Sequence, residues 1–350
     1  MHGLSIAPWS NKSIKPKPGE LLRNRGLTQR KQLFEHLFDH NLISKCLNAI
    51  SNRDFGFADK EKPMQPQVQA FFHEPTNTAS YVVRDTHSNA CAVVDSVLDF
   101  EAASGHTSTA SAEAIAHYVD EHDLRCEWIL ETHAHADHLS AAPYLRERLN
   151  SRIGIGANIT IVQHVFGKIF NSGSEFQRDG SQFDALFGDG AEITFGTLRG
   201  RAIHTPGHTP ACMTYIFGDA AFIGDTLFMP DYGTARCDFP GGDARELYRS
   251  VQKLFALPEQ TRLFVCHDYL PPGRSQYQWE TTVADQKTHN IQIHEGVTED
   301  EFTAMRKARD ATLRMPALIL PSVQVNMRAG RFPPPENNGV TYLKLPVNAF

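Results

Sequence analysis

Three histidines and one aspartate lie within six residues of the segment Glu131-Thr132-His133-Ala134-His135-Ala136-Asp137-His138. The segment follows the apolar run Trp128-Ile129-Leu130, which is typical of a buried strand, and precedes a helical pattern. Placing so many polar ligand groups at the end of a buried strand is unfavourable unless a cation lies among them. The sequence therefore predicts one half of a metal site here.

The spacing His-x-His-x-Asp-His indicates which of these side chains can bind the same metal ion. In an extended segment, the side chains of His133 and His135 point to the same side. Asp137 and His138 follow on the next turn, where they can serve a second metal position or orient the ligands of the first. The helical zincin pattern His-Glu-x-x-His is absent from the sequence. A solvated surface cluster is the alternative interpretation, and four ligand groups after a buried strand disfavour it.

Three further ligand groups each follow an apolar strand pattern. His208 lies in His204-Thr205-Pro206-Gly207-His208-Thr209, where proline and glycine predict a tight turn. Asp225 and His267 follow two later apolar runs. Singly, these residues have structural interpretations as a turn residue, a capping carboxylate and a buried histidine. Together with the first cluster, they predict one metal site built at converging strand ends.

The elements that must position these residues alternate between strands and helices from Pro66 onward. Strands are predicted over residues 68–72, 79–84, 91–95, 127–131, 198–203, 221–223 and 263–266, and helices over 110–123, 139–149, 280–287 and 299–314. A further helix is predicted between 158 and 187. This alternation favours a layered α/β domain. Asp95 ends the third strand, where its carboxylate is expected to support the site.

Composition limits the classes of partner and compartment. The chain has 350 residues and a net charge of -6, which gives no electrostatic reason to expect a nucleic acid. No apolar stretch approaches membrane-spanning length, so no membrane partner is expected. The six cysteines are scattered, which favours a reducing, cytoplasmic compartment. Cys212 and Cys237 are expected to be packing residues rather than nucleophiles.

The sequence predicts that residues 1–63 form an N-terminal extension to a catalytic domain over 64–350. Up to Phe34 the extension has seven basic residues and one acidic residue, and apolar residues recur at helical spacing over 33–50. A basic leader of this kind is typical of organelle import. A docking helix, or an over-long start with Met64 as the initiator, is the preferred alternative.

The ordered set Asp95, the motif over 133–138, His208, Asp225 and His267 resembles the five signature motifs of the metallo-β-lactamase superfamily. The resemblance covers Gln67 to Tyr269 and implies an αββα four-layer sandwich with metal at one edge of its two sheets. The sequence also contains all ligands of a two-metal thioester hydrolase of the glyoxalase II type. Such an enzyme would hold two zinc or iron ions. In that alternative, the first ion is held by His133, His135 and His208, the second by Asp137, His138 and His267, and Asp225 bridges them.

A narrower resemblance is to the persulfide dioxygenases, also called sulfur dioxygenases, and it extends to about Gly339. Its motifs are Thr132 to Leu139, His204 to Thr209, Gly224-Asp225-Thr226-Leu227-Phe228, Gly233-Thr234-Ala235-Arg236-Cys237-Asp238-Phe239, Cys266-His267-Asp268-Tyr269 and Val325-Asn326-Met327-Arg328-Ala329-Gly330. The Arg-x-Asp-Phe and Asn-Met-Arg elements distinguish this branch from glyoxalase II. The resemblance also implies a homodimer.

This resemblance implies one Fe(II) ion per chain, held by His133, His208 and Asp225. Two histidines and one carboxylate form a facial triad that leaves three metal positions open. The implied reaction oxidises glutathione persulfide with O2 and water to sulfite and glutathione. In it, the remaining ligand groups orient the site without binding metal; they are His135, Asp137, His138 and His267.

Four residues are candidates for binding the substrate. Arg236 either forms a structural ion pair with Asp238 or binds an anion, and Tyr269 has a hydroxyl that can reach a bound sulfur or hold a loop. Arg274 is a candidate clamp for a glutathione carboxylate, because a guanidinium matches a carboxylate with two hydrogen bonds.

Overall fold

The structure, a computed structural model, describes residues 65–349. The basic leader and the predicted helix over residues 33–50 lie outside the described residues. No helix within the described part is both long and apolar enough to cross a bilayer.

The described residues alternate between short strands and helices. The strands are β1 (Gln67–His73), β2 (Thr78–Arg84), β3 (Ala90–Val94), β4 (Val97–Glu101), β5 (His106–Ser108), β6 (Arg125–Leu130), β7 (Leu139–Ser140), β8 (Arg152–Gly156), β9 (Ala185–Phe187), β10 (Glu192–Phe195), β11 (Leu198–His204), β12 (Met213–Phe217), β13 (Ala220–Phe222), β14 (Arg262–Phe264) and β15 (Glu280–Thr282). The helices are α1 (Ala110–Glu121), α2 (Ala142–Leu149), α3 (Ile159–Ile169), α4 (Ala244–Phe255), α5 (Val283–His289), α6 (Glu299–Asp310) and α7 (Ile319–Asn326). Short 3-10 turns cover Glu74–Thr76 and Gly224–Thr226.

Two mixed six-stranded sheets form the centre of the molecule. The first has the order β1-β2-β3-β6-β8-β9, and the second has the order β10-β11-β12-β13-β14-β15. Strands β3 and β6 are parallel neighbours, as are β13 and β14. Because parallel strands end at the same edge of a sheet, the loops that follow β3 and β6 lie together, as do the loops that follow β13 and β14.

Side chains alternate between the two faces of each strand, and the buried ones form three hydrophobic clusters. Tyr81, Trp128 and Phe222 pack between the two sheets. Val82 and its neighbours on the outer face of the first sheet pack against α1, α2, α3 and α7. The outer face of the second sheet packs against α4, α5 and α6. This confirms the predicted αββα sandwich, in which each sheet buries both faces.

Two predicted helices begin later than expected. Leu139 and Ser140 form β7, which pairs with β4. Helix α2 therefore begins at Ala142, and Pro143 lies in its first turn, where proline is tolerated. The prediction of a helix over 280–287 is wrong at its start, because residues 280–282 form β15 and pair with β14. The hydroxyl of Thr282 accepts a hydrogen bond from the backbone N–H of Asp285 and caps the start of α5.

Candidate metal centre

Seven histidine and aspartate side chains meet where four strands of the sandwich end. The segment over 133–138 follows β6, His208 lies in the turn after β11, Asp225 lies in the 3-10 turn after β13, and His267 follows β14. Thr78, at the start of β2, forms a single bridge to His267 and links the edges of the two sheets. Residues distant in the sequence are therefore brought into one cluster.

One group of ligand atoms comes from His133, His208 and Asp225, whose donor atoms lie within 4.8 Å of one another. The Oδ2 atom of Asp225 is 3.9 Å from Nε2 of His133 and 3.6 Å from Nε2 of His208. All three residues are buried. The structure thus brings together the two histidines and one carboxylate that the resemblance to persulfide dioxygenases assigns to a single ion.

The other predicted ligands form a second group beside the first. His135, Asp137, His138 and His267 have donor atoms within 4.8 Å of one another. Nε2 of His267 is 3.1 Å from Oδ2 of Asp137 and 3.4 Å from Oδ1 of Asp225. Asp225 therefore faces both groups, one with each carboxylate oxygen.

Several of these donor atoms are buried without a hydrogen-bond partner. They are Nε2 of His133, Nδ1 of His135, Nε2 of His138, Nε2 of His267 and Oδ1 of Asp225. Leaving buried polar atoms unpaired is costly, and a bound cation compensates for it. Imidazole nitrogens and carboxylate oxygens suit iron or zinc. These residues fit a metal ion, and the chain has a metal-binding site here.

The other ring nitrogen of each central histidine is held by a hydrogen bond. Nδ1 of His208 donates to the carbonyl oxygen of Arg236 over 2.8 Å. Nδ1 of His133 lies 3.0 Å from the hydroxyl of Thr132, which itself donates to Asp95. Burial, together with the neighbouring histidines, lowers the pKa of His133 well below its usual value. A neutral ring with its proton on Nδ1 leaves Nε2 free to bind a metal.

Asp95 supports the metal-binding segment from the end of β3. Its backbone is left-handed, with φ of 52°, and its carboxylate accepts hydrogen bonds from the N–H of Thr132 over 2.7 Å and from Nε2 of His135 over 3.1 Å. Burial opposes ionisation of Asp95, but His135 and Thr132 lower its pKa overall. The carboxylate thus fixes the start of the segment while it remains charged.

Glu131 was not among the predicted site residues. Its Oε2 atom lies 3.2 Å from Nε2 of His135, and its Oε1 atom accepts a hydrogen bond from Ser140. His135 is therefore held between the two carboxylates of Glu131 and Asp95. The spacing of four residues between Glu131 and His135 was the available signal in the sequence.

Asn326 is a second residue whose role the sequence did not reveal. Its Nδ2 group donates to the carbonyl oxygens of His135 and His138, each over 2.8 Å, and its Oδ1 atom accepts from the N–H of Ser140 over 2.9 Å. This buried amide fastens the end of the metal-binding segment to α7. The Asn-Met-Arg motif was recognised from its resemblance alone, since the contact spans more than 180 residues.

A cavity of about 370 Å³ opens beside the first ligand group. His208, Asp225, Tyr269 and Arg236 are among its lining residues. The ring of Tyr269 packs against Phe228, and burial raises the pKa of its hydroxyl well above the usual value. The cavity is large enough to accept part of a small ligand next to the metal site.

The other substrate candidates are engaged within the protein. Asp238 does not line the cavity and forms a two-point ion pair with Arg236, over 2.6 and 2.7 Å. Arg274 also lies outside the cavity lining. Its five N–H groups are all used by Asp268, Asp231 and the carbonyl oxygen of Gln276. The predicted role of Arg274 as a carboxylate clamp is therefore not supported, because no donor remains for a ligand.

The predicted packing role of the two cysteines matches their positions. Cys212 and Cys237 are both buried. Burial raises the pKa of Cys212 to about 12, which keeps its thiol protonated.

An αββα sandwich with histidines and aspartates converging at one sheet edge defines a metal-binding protein of the metallo-β-lactamase type. The model of the metallo-beta-lactamase superfamily matches residues 73–267. The chain belongs to this superfamily and is one of its enzymes.

Relatives at different distances have different names. A probable metallo-hydrolase of Burkholderia pseudomallei is 59% identical over 292 residues, covering 81% of this chain and 99% of the relative. Glyoxylase B2 of Dictyostelium discoideum is 48% identical and covers 81% of this chain and 97% of the relative. The mitochondrial persulfide dioxygenase ETHE1 of mouse is 29% identical, covering 77% of this chain and 90% of the relative. Among solved structures, ETHE1 from Myxococcus xanthus has a TM-score of 0.60 and 28% identity, and the match covers 76% of this chain and all of that chain.

Proposed function

We propose that this protein is a persulfide dioxygenase that uses one Fe(II) ion, held by His133, His208 and Asp225. The observation that carries the proposal is the grouping of two bare imidazole nitrogens and one carboxylate beside a cavity. The likeness to ETHE1 proteins in sequence and in fold supports it. The integration of the Asn-Met-Arg motif into the site, through Asn326, supports it further.

The proposed reaction converts glutathione persulfide, O2 and water into glutathione and sulfite. The terminal sulfur loses four electrons and O2 gains them, while hydrolysis of the sulfur–sulfur bond returns the thiol. When bound, Fe(II) supplies redox chemistry with O2 that zinc, as a d10 ion, does not.

The protein's own groups position this chemistry. The hydrogen bonds at Nδ1 of His133 and His208 fix the ring orientations, and Asp225 completes the charged face of the site. Tyr269 presents a neutral hydroxyl to the cavity, which allows it to donate a hydrogen bond to an anionic sulfur.

A thioester hydrolase with two metal ions is the second candidate. The unpaired Nε2 atoms of His138 and His267, beside Asp137, offer a second metal position. The names of two more similar relatives, a probable metallo-hydrolase and a glyoxylase, support this candidate as well. A pair of metal ions would lower the pKa of a bound water for attack on a thioester.

One experiment separates the two functions. The full chain is loaded anaerobically with Fe(II), its metal content is measured, and an oxygen electrode records the response to glutathione persulfide. We expect one iron per chain, oxygen uptake equal to the sulfite formed, and no turnover of S-lactoylglutathione. Two metals per chain, hydrolysis of S-lactoylglutathione and no oxygen uptake would overturn the dioxygenase proposal.

A further inference from the structure

The cavity beside the metal centre has an excess of unpaired positive charge. Its charged lining residues, histidines aside, are Asp137, Asp225, Arg236, Arg306, Arg309 and Arg314. The two aspartates belong to the metal centre. Arg236 is neutralised by Asp238 and Arg306 by Asp310. Within residues 65–349, the guanidinium groups of Arg309 and Arg314 form neither an ion pair nor a hydrogen bond.

One contact of each residue places Arg309 and Arg314 beside the cavity. The guanidinium carbon of Arg309 lies 6.0 Å from the ring centroid of Tyr232, another lining residue. The carbonyl oxygen of Arg314 accepts a hydrogen bond from Arg236 over 2.6 Å. Arg309 also lies in the last turn of α6, where a cation is favourable for the helix dipole. The dipole does not account for Arg314, which follows the helix.

We propose that Arg309 and Arg314 bind an anionic group on the carrier part of the substrate, while its sulfur end faces the metal centre. The inference rests on the proposed function, in which the substrate is a persulfide of a small thiol. A guanidinium binds a carboxylate or a phosphate through paired hydrogen bonds, so either group fits this chemistry. Arg236 and Arg306, the other two arginines of the lining, already form ion pairs with aspartates. Arg309 and Arg314 therefore have N–H groups available for a ligand. The pair selects charged thiol carriers over neutral ones.

The test measures binding rather than turnover. Isothermal titration calorimetry on the metal-loaded full chain compares glutathione with its diethyl ester, and coenzyme A with pantetheine. The first pair differs in its free carboxylates, and the second differs in its phosphates together with the adenosine that they carry. The variants are Arg309→Gln, Arg314→Gln and the double variant. Arg199→Gln is the matched control, because Arg199 is an exposed arginine outside the cavity lining. Metal content and Tm confirm that each variant is folded and loaded.

We expect the double variant to bind the charged member of one pair about tenfold more weakly and its neutral partner unchanged. Loss confined to glutathione identifies a carboxylate, and loss confined to coenzyme A identifies a phosphate; either result supports the site. The control should behave as the wild type does. The proposal is overturned if the wild type binds none of the four ligands, or if the double variant binds all of them as the wild type does.

Failure of the anion site and failure of the dioxygenase proposal give different results. A protein that takes up no oxygen, yet loses charge-dependent binding in the double variant, retains the anion site and loses the proposed reaction. Oxygen uptake with unchanged ligand selectivity in the variant removes the anion site and leaves the reaction in place.

Discussion

The division of roles between the two nitrogens of each histidine ring explains how this site can hold a metal. Where Nδ1 donates to a carbonyl or hydroxyl oxygen, as in His208, the ring is fixed in orientation and in tautomer. The bare Nε2 atoms then face Asp225 from two directions. A metal satisfies all of these atoms at once, because each contributes one lone pair to it.

Variants of single ligand residues distinguish a site with one metal ion from a site with two. Asp225→Asn should lose essentially all bound iron and all oxygen uptake, because it removes the one carboxylate of the three-ligand group. His138→Gln should keep close to one iron per chain, with activity reduced about 10 to 100-fold, as expected for a group that only orients the site. Metal analysis of both variants after anaerobic loading checks this. A wild type with two ions that falls to one in His138→Gln contradicts the assignment.

Asp85 leads to a prediction about stability and pH. Burial alone would raise its pKa, but hydrogen bonds from Ser88, His87 and Thr197 lower it to about 2, from an ordinary 3.8. A carboxylate with a lowered folded-state pKa stabilises the fold above pH 3.8, and this contribution disappears as the pH falls towards 2. Asp85→Asn should therefore be less stable than the wild type by about 2 kcal/mol at pH 7, with a difference that shrinks below pH 4.

Urea unfolding of the proteins without bound metal, from pH 7 to pH 3, measures this difference, so that release of the metal at low pH does not contribute to it. Asp123→Asn serves as the control, because Asp123 is exposed and its carboxylate accepts no hydrogen bond from the described residues. A difference that stays constant over the whole pH range would show that Asp85 does not stabilise the fold as a charged group.

Residue types and local spacing were sufficient to predict the ligand groups, since each follows its own strand. The contacts of the candidate substrate-binding arginines were harder to infer. Arg274 looked free in the sequence, although Asp268 lies only six residues before it and takes part of its guanidinium. Nothing local indicates that Arg236 would donate to Arg314, because the two residues are 78 positions apart.

At the scale of elements, α7 acts as a support for the metal-binding segment. Its last residue, Asn326, is 4% exposed and satisfies two backbone carbonyl groups of that segment, together with the N–H of Ser140 in β7. Amides in the middle of a helix usually compete with its backbone bonds, but at the end of a helix the side chain is free to reach another element. The helix thus holds the loop between β6 and β7 in one conformation.

Asn326→Ala should lower the free energy of unfolding by about 3 kcal/mol, because it leaves buried carbonyl and N–H groups unpaired. It should also weaken iron binding about 10 to 100-fold, since the segment that carries His135 and His138 loses its anchor. Chelator competition and urea unfolding measure the two effects, with Asn338→Ala as an exposed control. Iron affinity equal to that of the wild type would show that α7 does not position the ligands.

Element boundaries show where pattern reasoning fails. The apolar spacing after His138 indicated a helix from Leu139, yet the first two residues pair with β4 instead. Likewise, residues 280–282 have a helical pattern in the sequence but complete the edge of the second sheet. In both cases a strand partner elsewhere in the chain outweighs local preference, and that partner is invisible in a local window.

For the whole molecule, the layered sandwich could be predicted because alternating strands and helices must cover both faces of each sheet. The order of strands within each sheet could not, since it depends on which distant strands pair. The three clusters that hold the layers together consist of buried residues between Ala79 and Ala329. All seven ligand groups lie within the same span.

This arrangement predicts that residues 64–350 fold and bind metal without the N-terminal extension. The Burkholderia pseudomallei relative supports this, because 81% of this chain accounts for 99% of its length. A protein beginning at Met64 should therefore have the iron content and oxygen uptake of the full chain, and a Tm within a few degrees of it, because the buried clusters remain intact. Parallel expression of both proteins, followed by metal analysis and calorimetry, checks this. An insoluble or metal-free product from residues 64–350 would mean that the extension contributes to the fold of the domain or to its metal loading. The basic composition of the extension would then need a structural explanation rather than one based on import.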